Sequence, residues 1–162
     1  MNPNEYLIEN IELKILRYTP SKDIKPAFEK YIIPLVEGMT VLDLLLYVKE
    51  NLDHSISFRH SCRMGICGSC AAVVNGKPVL TCQTQVSKLG SKNVEIRPIE
   101  NFPIIRDLVC DFDEFYIKHR EIKPYIIQSD KSEKENLSLE ILQTHKEINN
   151  YFQFSLCIKC GL

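Results

Sequence analysis

Four of the seven cysteines lie between residues 62 and 82, and no other feature limits the fold of this chain as strongly. Their spacing is C-x4-C-x2-C-x11-C, with three in one stretch that also contains two glycines and suits neither a helix nor a strand. An odd number of cysteines without an export signal is typical of a reducing compartment, where thiols bind metals or serve catalysis. The spacing therefore predicts a loop built around a metal group.

The pattern matches the plant-type [2Fe–2S] pattern, C-x4-C-x2-C with a distant fourth cysteine. Such a cluster has two irons that each need two thiolates, so four sulfur atoms must surround an elongated object. The loop supplies three of them, and a β-hairpin turning at Asn75-Gly76 can return the fourth. Gly65, Gly68 and Ser69 leave the backbone free to wrap closely and to direct N–H groups at the sulfurs. The predicted ligands of a [2Fe–2S] cluster are Cys62, Cys67, Cys70 and Cys82.

Structural zinc is the main alternative for four cysteines. Zinc sites usually present two short paired knuckles, whereas three ligands here share one loop, so the spacing favours the cluster. A disulfide pair is disfavoured by the reducing compartment. His60 stands beside Cys62, but four thiolates already complete the ligand set, so we expect it not to be a ligand.

Two arginines, Arg59 and Arg63, flank the cysteine loop. An all-thiolate cluster becomes more negative when it is reduced, so nearby positive charge favours the reduced state. We expect these side chains to tune the site, with ordinary surface solvation as the alternative.

Residues 10–100 show the patterns of a sheet crossed by one helix. Alternating apolar and charged residues predict strands, and Asn75-Gly76 predicts a tight hairpin turn. Thr40 and Asp43 resemble a capping box that opens a helix with Val41, Leu44, Leu45, Val48 and Leu52 facing a core. The predicted elements are strands at 11–15, 28–36, 71–74, 79–80 and 93–97 and a helix from about residue 41 to 52.

The second half has a different character. Apolar residues recur there at helical spacing and predict an amphipathic helix; they are Ile105, Leu108, Val109, Phe112 and Phe115. A second helix is predicted from Leu139 to about Asn149, after a polar loop or linker at 129–136. We expect Cys110 to be a small buried apolar residue.

Charge and hydropathy disfavour other classes. Twenty basic residues against twenty-one acidic ones leave a net charge of -1, so there is no basic excess to bind nucleic acid. The longest apolar run, Val41–Val48, is interrupted by Asp43 and is far shorter than the ~20 residues that cross a bilayer. The first residues lack the basic segment and apolar core of a signal peptide.

The cysteine loop Ser61–Cys70 resembles the S-C-R-x-G-x-C-G-S-C loop of the iron–sulfur subunits of succinate dehydrogenase and fumarate reductase. The likeness continues to Cys82 and covers nearly the whole chain. Further matching segments are Ile105–Val109, Asp113–Tyr116, Ile122–Tyr125 and Cys157–Cys160.

This resemblance implies an α+β fold, with a β-grasp, ferredoxin-like [2Fe–2S] domain at 1–100 and an incomplete α-helical ferredoxin domain at 101–162. It also implies a non-catalytic electron-transfer subunit of an oxidoreductase. The subunit would relay electrons between a flavoprotein, where succinate and fumarate interconvert, and a quinone site shared with membrane anchor subunits. We expect a soluble chain, held by these partners at the cytoplasmic side of a membrane.

The final cysteines fall where the family begins its second cluster. The family's helical domain holds a [4Fe–4S] and usually a [3Fe–4S] cluster, and its C-x2-C-x2-C motif would need a third cysteine at position 163. Cys157 and Cys160 are therefore expected to be two ligands of an incomplete [4Fe–4S] site, with a bare thiol pair or a zinc half-site as alternatives. We expect both thiols to be free and exposed, and residues from about Ser129 onward to be poorly packed.

Two other functions remain open from the sequence. One is the iron–sulfur subunit of a soluble, thiol-dependent fumarate reductase, which has a similar N-terminal half. The other is a free-standing ferredoxin-type carrier, against which the predicted helical residues 103–155 count, since a simple carrier needs no second domain.

Overall fold

The computed structural model of the chain describes residues 7–125 and 142–162. The chain divides into two compact units, which we call the sheet unit (Met1–Asp111 with Ile158–Leu162) and the helical unit (Phe112–Cys157). The sequence places a domain boundary at residue 100, whereas a small hairpin beyond that residue belongs to the sheet unit. Both units together give an α+β fold.

The main sheet has five strands in the order β2-β1-β5-β3-β4. The central strands β1 and β5 are parallel, and the other neighbours are antiparallel. The predicted hairpin forms with positive φ at Asn75 and Gly76, as a two-residue turn of this kind requires. The strands are β1 (Leu7–Arg17), β2 (Ala27–Val36), β3 (Ala71–Val74), β4 (Lys77–Leu80) and β5 (Asn93–Arg97).

One helix packs on this sheet. Helix α1 (Val41–Tyr47) begins with the predicted capping box, because Thr40 Oγ1 accepts from the Asp43 N–H and the Asp43 carboxylate accepts from the Thr40 N–H. The chain then continues as one π-helical turn, Val48–Leu52. The prediction that Leu52 faces the core is wrong, since this wider turn leaves Leu52 48% exposed.

The core lies between α1 and the two central strands. Alternate residues of β1 and β5 point at the helix, as period-2 patterning predicts. Each fully buried Leu, Ile or Val of this kind stabilises the fold by about 2 kcal/mol. The buried set includes Ile11, Leu13, Ile15, Val94, Ile96, Val41, Leu44, Leu45 and Val48.

The predicted helix over 105–115 is wrong in its first half. Residues Ile104–Arg106 and Val109–Cys110 form a two-stranded hairpin, β6 and β7, and helix α2 begins only at Asp113 and ends at Glu121. Asp107 has a φ of 48° in the intervening turn, which breaks any helix there. Cys110 is 2% exposed, so its predicted burial is confirmed, although it lies in a strand.

Helix α3 (His145–Ser155) begins and ends later than predicted. Thr144 and Glu147 form a second capping box, a signal present in the sequence that fixes the start of the helix. Leu139 and residues 129–136 lie outside the described residues. Helix α3 contains no buried residue, as expected for residues from about Ser129 onward, and Phe152, Phe154 and Leu156 are more than half exposed. Helix α2 contains no buried residue either, which the sequence did not indicate.

Within residues 7–125 and 142–162, no helix has both the length and the apolar character needed to cross a bilayer.

A buried carboxylate ties the small hairpin to the segment that leads into the cysteine loop. Asp107 is 1% exposed, and its carboxylate accepts from Arg17 Nε at 3.1 Å, from the Tyr18 N–H at 3.1 Å and from the Ser57 N–H at 2.9 Å. The Leu108 N–H donates to the Ser57 carbonyl in the same region. The start of the loop is therefore anchored to the end of β1.

The arginine of this cluster has further partners. Arg17 also pairs with Asp53 and, at 2.7 Å, with Glu29. Hydrogen bonds from Ser55 hold the pKa of Asp53 well below its usual range, and hydrogen bonds from Tyr31 and Arg17 lower this pKa by smaller amounts. Burial of Arg17 would lower its pKa, but its hydrogen bonds to Asp53 and Asp107 raise the pKa overall. Arg17 and Asp53 thus stay ionised at neutral pH.

We expect Asp107→Ala to destabilise the protein by about 3 kcal/mol, because it leaves buried N–H groups and part of the Arg17 charge without a partner. Urea denaturation followed by circular dichroism measures this loss. Glu50→Ala, at an exposed site of the same unit, is the matched control and should change stability by less than about 0.5 kcal/mol. Equal effects of the two substitutions would contradict the anchoring role.

Candidate metal centre

The cysteine loop closes on its first sulfur. Cys62 Sγ accepts from the backbone N–H groups of Met64 at 3.4 Å, Ile66 at 3.4 Å and Cys67 at 3.3 Å. Three backbone N–H groups directed at one sulfur form a concave arrangement of donors of the kind found around the sulfurs of iron–sulfur groups. The loop conformation thus suits the predicted role of Cys62.

Cys62 and Cys67 form the outer pair of thiols. The Cys62 N–H donates to Cys67 Sγ at 3.5 Å, and Cys67 is exposed while Cys62 is half-buried. The backbone N–H of Cys62, followed by the hydroxyl and backbone of Ser69, lowers the pKa of Cys67 to about 6. This pair lies at the protein surface in a setting that favours negative charge.

Cys70 and Cys82 form the inner pair. They are 6% and 7% exposed and pack against Leu42 of α1. Burial, together with the neighbouring Cys70 thiol, raises the pKa of Cys82, while the Gly65 N–H acts in the opposite direction by donating to its sulfur. Because the Cys62–Cys67 loop donates to Cys82, the two pairs of thiols are parts of one site.

The hairpin β3–β4 fixes the spacing of the inner pair. Cys70 directly precedes β3, and Cys82 comes two residues after β4. Thr81, 1% exposed, binds the Cys70 carbonyl through its N–H at 3.2 Å and through its hydroxyl at 3.0 Å. The Leu42 N–H in turn donates to the Thr81 carbonyl at 3.1 Å, so the first turn of α1 holds the strand end in place.

This donor set fits a binuclear iron–sulfur group. Two thiol pairs, linked by a loop rich in N–H donors, supply two sulfur ligands to each of two irons. Among the residues that the structure describes, no three His, Cys, Asp or Glu side chains group around a single point as a mononuclear metal site requires.

The other candidate residues near the loop do not belong to either pair of thiols. Arg59, His60 and Arg63 are exposed, and the His60 ring stacks beside Phe58 with centroids 5.7 Å apart. Cys110 Sγ lies against the Ile99 carbonyl at 3.9 Å. That His60 is not a ligand stays a prediction.

The terminal cysteines differ from each other. Cys157 is exposed, as expected, but Cys160 is half-buried and belongs to the sheet unit. The expectation of two fully exposed thiols is therefore wrong for Cys160. Its backbone lies beside Gly68, a contact that no local sequence pattern indicates.

Known proteins resemble this chain over most of its length. The sequence model of a family described as "2Fe-2S iron-sulfur cluster binding domain" matches residues 12–117. The chain is 40% identical over 156 residues to the fumarate reductase iron-sulfur subunit of Mycobacterium tuberculosis, covering 96% of this chain and 62% of the relative. It is 41% identical over 160 residues to the subunit of the same name from Haemophilus influenzae, covering 94% and 62%.

Two more relatives extend the likeness. The mitochondrial succinate dehydrogenase [ubiquinone] iron-sulfur subunit of Dictyostelium discoideum is 35% identical over 156 residues, covering 93% of this chain and 54% of the relative. A chain of the Mycobacterium smegmatis Sdh1 complex in the apo form superposes with a TM-score of 0.78 at 29% identity, covering 93% and 60%. The resemblance drawn from the sequence is confirmed. The chain spans 62% or less of the length of these relatives.

We expect Arg63→Glu to lower the reduction potential of a bound cluster, because a positive neighbour of Cys62 becomes negative. Since Arg63 is exposed, solvent and salt screen the effect to roughly some tens of millivolts. Redox titration followed by electron paramagnetic resonance measures the potential.

Lys25→Glu makes the same charge change at an exposed residue of the loop between β1 and β2, the two strands at the other side of the sheet from β3 and β4. It should leave the potential nearly unchanged. A shift of the same size in both variants would mean that Arg63 acts only through net charge.

Proposed function

Because the chain belongs to the family of 2Fe-2S iron-sulfur cluster binding domains, we propose that four of its cysteines hold a [2Fe–2S] cluster. A bound cluster supplies one-electron oxidation and reduction. The observation that carries the assignment is the division of the thiols into an outer and an inner pair within one loop and hairpin. The proposed ligands are Cys62, Cys67, Cys70 and Cys82.

The two pairs have different surroundings, and this difference suits electron transfer. The inner pair, Cys70 and Cys82, is shielded by α1 and β3–β4, which keeps water away from half of the site. The outer pair, Cys62 and Cys67, reaches the surface, where an electron enters or leaves over a short distance. Backbone N–H groups, which need not reorganise, compensate the negative charge at both pairs.

We propose that this site serves as the electron relay of a succinate dehydrogenase or fumarate reductase. The relatives named above are iron-sulfur subunits of these oxidoreductases, and their likeness covers 93% or more of this chain. In this proposal the subunit is not itself catalytic, and electrons pass between a flavoprotein and quinone near membrane anchor subunits. The proposed [2Fe–2S] site lies in the sheet unit, and Phe112–Cys157 forms the helical unit.

The proposed docking face for the flavoprotein is the outer side of the cysteine loop. Met64 and Ile66 are each 63% exposed there, beside the exposed side chains of Arg59 and Arg63. Apolar side chains next to fixed positive charge suit a partner surface with an apolar centre and an acidic rim. Docking on this face brings the partner to the outer thiol pair.

A free-standing carrier is the weaker alternative. Similarity to the subunits extends beyond the cluster domain through α2 and α3, which a simple ferredoxin-type carrier does not need.

Anaerobic reconstitution with iron and sulfide tests the cluster assignment. We expect iron and acid-labile sulfide in equal amounts, and an S = 1/2 resonance after reduction, because four thiolates complete one binuclear group. Cys62→Ser or Cys70→Ser should change or abolish this spectrum, since each removes a ligand from one of the two pairs.

The double variant Cys157→Ser/Cys160→Ser is the matched control and should retain the spectrum of the wild-type chain. A colourless protein with stoichiometric zinc, or a spectrum lost in the control alone, would refute the assignment of the four ligands.

The relay role predicts that the chain alone does not oxidise succinate. We expect turnover with an artificial electron acceptor only when a flavoprotein subunit is added, because the dicarboxylate chemistry belongs to that partner. Met64→Glu should weaken this reconstituted activity by placing negative charge in the docking face, while its cluster spectrum stays unchanged. Turnover by the flavin-free chain would contradict the relay role, and full activity of Met64→Glu would contradict the docking face.

A further inference from the structure

The cysteine loop touches the end of the chain at one glycine. A Cβ built on Gly68 would lie 2.9 Å from both Cα and Cβ of Cys160 and 3.0 Å from the carbonyl oxygen of Ile158. Separations this short essentially do not occur for real side chains, and the obstacles are mostly backbone atoms that cannot rotate away. Position 68 therefore has no room for a side chain while Ile158–Cys160, here called the terminal segment, is in place.

Other glycines of the sheet unit lack this restriction. A Cβ on Gly65 would meet only the flexible side chain of Gln83, at 2.9 Å, and a Cβ on Gly76 would meet nothing within 4 Å. The three have nearly equal φ, +75°, +72° and +76° for Gly65, Gly68 and Gly76, so backbone strain from a side chain would be similar. What distinguishes Gly68 is its contact with the terminal segment.

We propose that Gly68 is a positioning residue that seats the terminal segment on the cysteine loop, and that the seated segment lowers the reduction potential of the group held there. The seat itself is independent of the proposed function, whereas the effect on potential rests on it. Gly68 lies directly after Cys67 and two residues before Cys70, so the seated segment covers the backbone between two proposed ligands.

Two physical effects of the seated terminal segment both lower the reduction potential. The carbonyl oxygen of Ile158 brings a partial negative charge close to the loop, which disfavours an added electron. The segment also displaces water, whose polarisability would otherwise stabilise the more negative reduced state. Releasing the segment should therefore raise the reduction potential.

Thiol alkylation measures the seat without reference to any metal group. We expect native Cys160 to react about threefold or more slowly with iodoacetamide than the exposed Cys157, each rate being normalised to the chain unfolded in urea. Gly68→Ala should remove most of this difference, because its methyl group displaces the terminal segment. Gly76→Ala carries the same φ strain without the contact and should keep the wild-type ratio.

A second pair of variants releases the segment without changing the loop. Lys159 has a φ of 55°, which proline cannot adopt and glycine adopts readily. Lys159→Pro should therefore match Gly68→Ala in its alkylation ratio. Lys159→Gly loses the same charge and should keep the wild-type alkylation ratio, so it is the reference for the potential, and the reduction potential of Lys159→Pro should lie above that of Lys159→Gly.

The outcomes separate the two proposals. Equal normalised rates for Cys157 and Cys160 in the wild-type chain would overturn the seat, even if Gly68→Ala fails to fold. A changed alkylation ratio in Lys159→Pro with a reduction potential equal to that of Lys159→Gly would overturn the effect on potential. Absence of a [2Fe–2S] spectrum from the wild-type chain would instead refute the proposed function and leave the alkylation test of the seat valid.

Discussion

Four cysteine sulfurs can share one small site as thiolates only if other groups offset their mutual repulsion. Here backbone N–H groups do so, with three donating to Cys62, two to Cys67 and one to Cys82. The loop can aim these donors inward because its backbone enters the left-handed region repeatedly, at Arg63, Gly65 and Gly68. Other contacts of the sheet unit hold this loop in a fixed position relative to the hairpin that carries Cys82.

Two independent sets of hydrogen bonds hold the loop in this position. On one side, Thr81 links Cys70 to the strand return, and the first turn of α1 binds the Thr81 carbonyl. On the other side, Asp107 joins the end of β1 to Ser57, just before the loop begins. Because these supports come from the sheet, the helix and the small hairpin, we expect formation of the proposed metal site to be coupled to folding of the whole sheet unit.

Local patterns were enough to predict the parts of this unit that depend on neighbouring residues. The cysteine spacing, the Asn75-Gly76 turn and the capping box at Thr40 each specify their geometry within a few residues. The hairpin at 104–110 was missed because its turn depends on Asp107, whose left-handed backbone is compensated by the distant Arg17. The seat of Cys160 on Gly68 joins residues far apart in sequence, so no periodicity could indicate it.

Iron K-edge X-ray absorption on the anaerobically reconstituted chain tests the paired arrangement most directly, since it reports the atoms around each iron. The account predicts a first shell of sulfur alone, with one iron neighbour for every iron, because each thiol pair completes one half of a binuclear group. Nitrogen or oxygen in the first shell, or iron without an iron neighbour, would contradict it.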